Sequence, residues 1–271
     1  MSAQINRIDV AFAQTRKEGR AALMPYLPLG FPTIELSQEL IVRIVAAGAD
    51  VIELGMPFSD PLADGPTIAQ ATQVALTNGL TVARCLQMVN AARCSAIQIP
   101  LVLMGYINPI LRYGTERFAQ EARDAGADGL IVADAPPEEA CDLVNACKSA
   151  GLALILLAAP TSTDERLRRI VHLTRGFVYL VSLTGVTGAR DDLPPELEDS
   201  VRRLRALTRK PICVGFGVSN PASARRVAAI ADGVIVGSAL VTRIAEPTTA
   251  LDRAHEFVRE LRQACARTST S

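Results

Sequence analysis

The chain has 271 residues, 49% of them hydrophobic, and its 28 basic residues balance its 28 acidic residues. This length fits one large α/β barrel as well as two ordinary domains, so it leaves the domain count open. The balanced charge argues against nucleic acid or an anionic membrane surface as the main partner. No apolar run reaches transmembrane length and no signal-peptide core is present, so we expect a soluble cytoplasmic protein.

The chain begins with an amphipathic helix, predicted within residues 1–20, where Ile5, Ile8 and Phe12 recur at helical spacing. Short apolar runs rich in β-branched residues follow. Because they do not alternate with polar residues, they indicate parallel strands buried on both faces. These predicted strands are 22–29, 50–54, 100–105, 129–133, 153–158, 177–183, 211–215 and 233–237. The predicted helices between and after them are 36–47, 66–78, 82–92, 115–125, 137–150, 164–173, 196–207, 221–230 and 249–265.

Eight strands that alternate with helices favour a single (β/α)8 TIM barrel over residues 1–271. The amino-terminal helix would cap the barrel, and residues 266–271 would form a polar tail. A doubly wound open sheet is the alternative, less favoured because the eight units show no break in composition. In a barrel, the functional residues lie at the carboxyl ends of the strands.

Two carboxylates mark the second predicted strand and the loop that follows it. Glu53 lies inside the apolar run, and Asp64 lies in a loop rich in Gly and Pro. An ionised carboxylate is costly to bury unless it is paired, whereas a dry carboxyl can hold a proton near neutral pH and act as an acid or a base. The structural alternative is a Glu53 that faces solvent or pairs with an arginine.

Glycine-rich loops follow the last two predicted strands. Gly215-Phe216-Gly217 and Gly237-Ser238 each precede a predicted helix, which is the usual phosphate site of this barrel. One such loop alone could be an ordinary turn, but two on consecutive strands predict a phosphate ester as substrate. The long loop at 184–192, after the sixth strand, is predicted to be a lid, with a plain surface loop as the alternative.

The absence of lysine and histidine from the predicted mouth of the barrel limits the kinds of reaction that the chain could catalyse. The three lysines (Lys17, Lys148 and Lys210) lie away from the predicted mouth, so no Schiff base is expected. The two histidines lie in helical patterns and the six cysteines lack metal-finger spacing, so we predict no metal site and no disulfide. Cofactor-free acid–base chemistry on a phosphorylated substrate remains. Residues near the mouth suggest a flat apolar group beside the phosphate, although each could be barrel filler: Tyr26, Met104, Ile131, Leu157, Tyr179 and Phe216.

Several segments together resemble the tryptophan synthase α subunit family over essentially the whole chain. They are PYLPLGFP (25–32), ELGMPFSDPLADGPTIAQA (53–71), LMGYINPI (103–110), ADAPPEE (133–139), SLTGVTGAR (182–190), VGFGVSNP (214–221) and VGSALV (236–241). The resemblance implies retro-aldol cleavage of indole-3-glycerol phosphate to indole and glyceraldehyde 3-phosphate, with no cofactor in this chain. It also implies an α2β2 heterotetramer in which indole passes to a β subunit that carries pyridoxal phosphate.

The resemblance also assigns roles to residues. Glu53 would be the general acid–base, Asp64 would bind the indole N–H, and Tyr179 would lie near the substrate hydroxyls. Thr187 on the lid would reach Asp64. The phosphate would be held by Gly188, Gly217, Gly237 and Ser238, and the surface facing the β subunit would include Pro57, Asp60, Pro61 and Asn108. Phe31 departs from the family, in which many members have Asp at this position.

Two other functions remain open from the sequence. One is a stand-alone lyase that releases free indole and needs no partner. The other is a barrel that has lost catalysis and only binds a ligand or partner. The presence of Glu53, Asp64 and Thr187 argues against the second.

Overall fold

The computed structural model describes residues 6–181, 195–215 and 217–267. It confirms the barrel, since all strand pairs in the described part of the chain are parallel and lie in one sheet of order β5-β4-β3-β2-β1-β9-β8-β7-β6. The strands are β1 (Ala22–Pro28), β2 (Ile52–Gly55), β3 (Leu101–Gly105), β4 (Gly129–Val132), β5 (Ala153–Ile155), β6 (Leu157–Ala158), β7 (Val178–Val181), β8 (Ile212–Gly215) and β9 (Gly233–Val236).

The prediction of a single strand at 153–158 is wrong in one respect. This segment forms two short strands, β5 and β6, on either side of Leu156. The backbone N–H of Leu156 donates to the Thr174 hydroxyl at 3.2 Å, and so is not used in a strand ladder. β5 pairs with β4, whereas β6 pairs with β7. Since β5 and β6 are nearly contiguous, this change of partner closes the sheet into a barrel.

The helices follow the predicted pattern with two differences. The helix predicted at 137–150 begins only at Cys141, after a turn in which the Glu139 N–H donates to the Pro136 carbonyl. A short helix at Ile107–Tyr113 was not predicted, because Pro109 lies in its first turn, where a missing N–H is tolerated. The helices are α1 (Arg7–Lys17), α2 (Ile34–Ala46), α3 (Pro66–Thr77), α4 (Val82–Cys94), α5 (Ile107–Tyr113), α6 (Thr115–Ala125), α7 (Cys141–Ala150), α8 (Asp164–Leu173), α9 (Pro195–Leu207), α10 (Pro221–Ile230), α11 (Ser238–Ile244) and α12 (Ala250–Ala264).

Helix α1 packs at the amino-terminal end of the barrel. Its Ile8 and Phe12 are buried with the residues that fill the barrel interior, and the Phe12 ring lies 5.8 Å from that of Phe177. The buried Asp128 carboxylate accepts hydrogen bonds from Arg7 of α1 at 2.9 Å and from Arg93 of α4 at 2.5 Å. These contacts hold α1 against the amino-terminal end of the barrel. The opposite end is therefore open for a site.

Two tyrosines fill the upper part of the barrel because glycines leave room for them. A Cβ atom on Gly55, at the end of β2, would lie 2.2 Å from the Tyr26 hydroxyl oxygen. A Cβ atom on Gly215, at the end of β8, would lie 2.5 Å from the Tyr179 hydroxyl oxygen. Any larger residue at either glycine would therefore displace a tyrosine from the mouth of the barrel. None of the described helices is both long and apolar enough to span a membrane.

Candidate active site

A cavity of about 990 Å³ opens at the carboxyl ends of the strands. Its walls come from the loops after β2, β4, β6 and β8 and from the residues that follow β9. The predicted site residues that line it are Tyr26, Asp64, Met104, Leu157, Tyr179, Gly217, Gly237 and Ser238. The folded chain thus brings together eight residues from seven separate segments of the sequence.

Other predicted site residues lie elsewhere. Ile131 is fully buried in the barrel interior and does not line the cavity. Thr187, Gly188 and Phe216, with the rest of the predicted lid, lie outside the described residues. Phe31, the departure from the family pattern, is buried, and its neighbours Gly30 and Pro32 both accept hydrogen bonds from the Asn78 side chain at 2.9 Å.

Glu53 is fully buried inside the barrel and does not line the cavity. It pairs in register with Val102, one inward-facing position below Met104, which does line the cavity. Neither carboxyl oxygen has a hydrogen-bond partner within the part of the chain that the structure describes. The carboxyl therefore lies just beneath the cavity with its hydrogen-bonding capacity unused.

Burial controls the protonation of this carboxyl. Removal from water disfavours the charged form and raises the pKa of Glu53 from 4.5 to about 8. The side chain is therefore mostly protonated at neutral pH. It can give up a proton to a base above it and take one back within the physiological range, which is what a general acid–base requires.

Asp64 lies in the loop between β2 and α3 and is half-buried. Burial raises the pKa of its carboxyl, and a hydrogen bond from the Tyr106 hydroxyl lowers it. The same hydroxyl accepts a hydrogen bond from the Ala63 N–H at 3.1 Å, and the Tyr106 ring lies 5.4 Å from that of Phe58. Tyr106 thus fixes the loop that carries Asp64.

Tyr26 and Tyr179 carry neutral hydroxyl groups close enough to the carboxyls of Glu53 and Asp64 to interact with them electrostatically. Burial raises the pKa of both tyrosines well above the usual value of 10, and the carboxylates of Asp64 and Glu53, both ionised at such high pH, raise it further. Both hydroxyls therefore keep their protons and can donate hydrogen bonds to a bound molecule.

The loop after β8 and the beginning of α11 face the cavity with backbone groups. Gly217 has a positive φ of 37°, and a Cβ atom there would meet no atom within 4 Å. The first hydrogen bonds of α11 run from the Leu240 and Val241 N–H groups to the Gly237 carbonyl. The N–H groups of Ser238 and Ala239 precede these bonds and are available to an anion. No group of three or more His, Cys, Asp or Glu side chains converges as a metal site within the described ranges.

Comparison with known proteins agrees with this arrangement. Residues 12–269 match the family model described as tryptophan synthase alpha chain. The chain belongs to the tryptophan synthase alpha chain family.

Relatives in this family match almost the full length. The tryptophan synthase alpha chain of Chloroflexus aggregans is 49% identical over 97% of this chain and 99% of its own, and that of a Roseiflexus species is 49% identical over 95% and 100%. A crystal structure of the alpha chain from Legionella pneumophila superposes with a TM-score of 0.90 at 38% identity and covers 99% of this chain and 100% of that one. A tryptophan synthase structure from Mycobacterium tuberculosis also has a TM-score of 0.90, at 42% identity over 98% and 100% of the two chains.

Tyr106 and two exposed leucines were not predicted from the sequence to have a role in this tryptophan synthase alpha chain family member. Tyr106 directly follows β3, and that position at the end of a barrel strand was the available signal. Leu62 is 93% exposed and Leu111 is 57% exposed. They belong to the β2–α3 loop and to α5, which also carry the predicted interface residues Pro57, Asp60, Pro61 and Asn108.

Proposed function

We propose that this chain cleaves indole-3-glycerol phosphate to indole and glyceraldehyde 3-phosphate by a retro-aldol reaction. The observation that carries the proposal is Glu53, whose buried carboxyl has no partner among the described residues and whose pKa is raised to about 8 beneath the cavity. A carboxyl with this protonation equilibrium suits a reaction that needs a proton donor and then a base at one place.

In the proposed reaction, protonated Glu53 transfers its proton to C3 of the indole ring, which leaves a positive charge on the ring system. The resulting carboxylate then takes the proton of the glyceryl hydroxyl next to the scissile bond. The C–O bond becomes a carbonyl, the C–C bond breaks, and its electron pair returns to the ring as indole. Glu53 ends protonated, so the cycle is balanced without a cofactor.

Asp64 stabilises the charge that develops on the ring. It lines the cavity, and its ionised carboxylate accepts the indole N–H, which becomes more acidic when C3 is protonated. Tyr179 donates to a substrate hydroxyl, and the apolar walls that include Met104, Leu157 and Tyr26 contact the flat ring. Asp64 acts as an anion, so activity should be lost as pH falls through its pKa.

The phosphate would lie against Gly217, Gly237 and Ser238, where glycines permit close approach of backbone N–H groups. The predicted contribution of Gly188 falls outside the described residues.

The partner would be a tryptophan synthase β subunit, which receives indole and carries pyridoxal phosphate. None of this chain's three lysines lines the cavity, which supports placing the pyridoxal phosphate chemistry in the partner. The β-facing surface would comprise Pro57, Asp60, Pro61 and Asn108. The exposed side chains of Leu62 and Leu111 add apolar area to it, as expected of a protein interface.

The direct test is cleavage of indole-3-glycerol phosphate by the purified chain, alone and with a tryptophan synthase β subunit. Slow cleavage alone and strong acceleration by the β subunit would support a coupled α subunit. Rapid cleavage alone would instead indicate a stand-alone lyase. No cleavage under either condition, with binding of inorganic phosphate retained, would indicate a barrel that only binds ligand.

Replacement of Tyr106 by Phe tests how Asp64 is held. The ring contact with Phe58 remains, but the hydroxyl that bonds Ala63 and Asp64 is lost. Since that hydrogen bond lowers the pKa of Asp64, its loss should raise this pKa and move the acidic limb of the kcat/KM profile to higher pH. We expect kcat/KM at neutral pH to fall by up to ~10-fold, the value of one hydrogen bond.

Tyr113→Phe is the matched control for this experiment, because the Tyr113 hydroxyl bonds Glu121 on the outer surface. It should leave the pH profile unchanged. A Tyr106→Phe profile that superimposes on that of the wild type would show that the hydroxyl does not influence Asp64.

A further inference from the structure

One arginine joins the two backbone segments assigned above to the phosphate. Arg243, on α11, donates from Nη1 to the Ala239 carbonyl at 2.8 Å and from Nη2 to the Ser219 carbonyl at 3.4 Å. Ala239 follows Ser238 directly, and Ser219 lies two residues after Gly217. The guanidinium therefore links the loop after β8 to the segment after β9 from behind the cavity.

The position of this guanidinium is determined by an aromatic ring. The Arg243 Cζ atom lies 3.7 Å from the centroid of the Phe257 ring, and Phe257 is buried on α12. A planar guanidinium on the face of an aromatic ring is favourable and has little freedom to rotate away from it. α12 thus serves as a fixed support for the contact between the two segments.

The charge of Arg243 is not neutralised by a carboxylate within the described part of the chain. Both hydrogen-bond acceptors are neutral carbonyls, and the third contact is a neutral ring. The assigned phosphate contacts are backbone groups and one serine, none of which carries a full positive charge. An uncompensated guanidinium behind them would attract a phosphate dianion.

We propose that Arg243 is a positioning residue for the substrate phosphate, which it serves by holding the Gly217 loop against the Gly237–Ser238 segment and by contributing positive charge behind it. It does not line the cavity, so it acts through the backbone groups that do. This inference rests on the proposed function for the identity of the phosphate ester, but binding of inorganic phosphate tests it without any turnover.

The experiment compares Arg243→Met and Arg243→Lys with the wild-type chain. Met preserves apolar contact with Phe257 but removes the charge and both hydrogen bonds, whereas Lys preserves the charge without the planar fork. For Arg243→Met we expect the Kd of inorganic phosphate and the KM for indole-3-glycerol phosphate to rise ~10-fold, with kcat changed less than ~2-fold. Arg243→Lys should recover part of the phosphate affinity.

A pair of non-cleavable ligands separates positioning from general structural damage. Affinity for indole-3-propanol phosphate should fall with that for phosphate, whereas affinity for indole-3-propanol, which lacks the phosphate, should be unchanged. Arg259→Met is the charge-matched control, since Arg259 is exposed on α12, and it should leave both affinities unchanged. Phe257→Leu, which removes only the ring beneath the guanidinium, should weaken phosphate binding less than Arg243→Met does and provides a second variant if Arg243→Met does not fold.

Wild-type phosphate affinity in folded Arg243→Met, or in Phe257→Leu if only that variant folds, would overturn the proposal. Equal loss of affinity for both indole ligands would also overturn it, because the arginine would then support the whole cavity. Failure of the proposed function gives a different result. In that case the wild-type chain itself would not cleave indole-3-glycerol phosphate, whatever the Arg243 variants bind.

Discussion

Glu53→Gln should lower the rate of indole-3-glycerol phosphate cleavage by ~10²–10⁴-fold or more, the usual contribution of proton transfer by a positioned side chain. Gln has nearly the same shape but can neither give up nor accept the proton that the reaction moves. Glu53 is fully buried and has no hydrogen-bond partner among the described residues, so no hydrogen-bonded carboxyl or imidazole there could take over its role. The measurement is single-turnover cleavage in the presence of a β subunit.

Binding should survive this substitution. Because Gln fills the same volume, affinity for indole-3-propanol phosphate should stay within ~3-fold of the wild-type value. Glu39→Gln, on the exposed face of α2, is the matched control and should retain full activity. A Glu53→Gln rate within tenfold of the wild type would eliminate the acid–base role.

The same substitution should also change how stability depends on pH. The pKa of Glu53 is about 8 in the folded chain and near 4.5 in an exposed reference, so between these values the folded state keeps a proton that the unfolded state releases. The wild-type chain therefore loses stability as pH rises through this window. Glu53→Gln has no proton to lose, so its stability relative to the wild type should grow from pH 4.5 to pH 8, by at most ~5 kcal/mol.

Urea unfolding of both chains at several pH values between 4.5 and 8.5 measures this difference. Other titrating groups are common to both chains and cancel in the comparison, and any fixed cost of burying the amide shifts the difference equally at every pH. The free energy of unfolding of Glu39→Gln should depend on pH in the same way as that of the wild type. Parallel curves for Glu53→Gln as well would mean that Glu53 titrates normally and is not dry.

Most of the fold was predictable because each strand is buried on both faces and is therefore apolar throughout. The exceptions depend on contacts with distant residues. Strand 153–158 divides at Leu156 because the Leu156 N–H donates to the hydroxyl of Thr174, 18 residues away. No local sequence pattern predicts that hydrogen bond. Helix α5 begins directly after β3 and contains a proline, so its composition is that of a loop.

The candidate site was predictable to the extent that it depends on residue type at strand ends. Asp64, Gly217, Gly237 and Ser238 were predicted from their loops, and all of them line the cavity. Tyr106 and Arg243 were not, because their importance lies in a hydroxyl that reaches Ala63 and a guanidinium that reaches Ser219. Tyrosine and arginine at those positions have no local signature that separates them from ordinary surface or core residues.

The sequence by itself determined the barrel, the family and the types of residue available for chemistry, because burial periodicity and motif spacing are properties of the chain alone. Only the tertiary structure decided the state of those residues. It places Glu53 beneath the cavity without a partner among the described residues, links Asp64 to Tyr106, and joins the loop after β8 to the segment after β9 through Arg243, which packs on Phe257. The reason is physical: pKa values and side-chain positions depend on how much water is excluded and on which groups from other elements come within hydrogen-bonding distance.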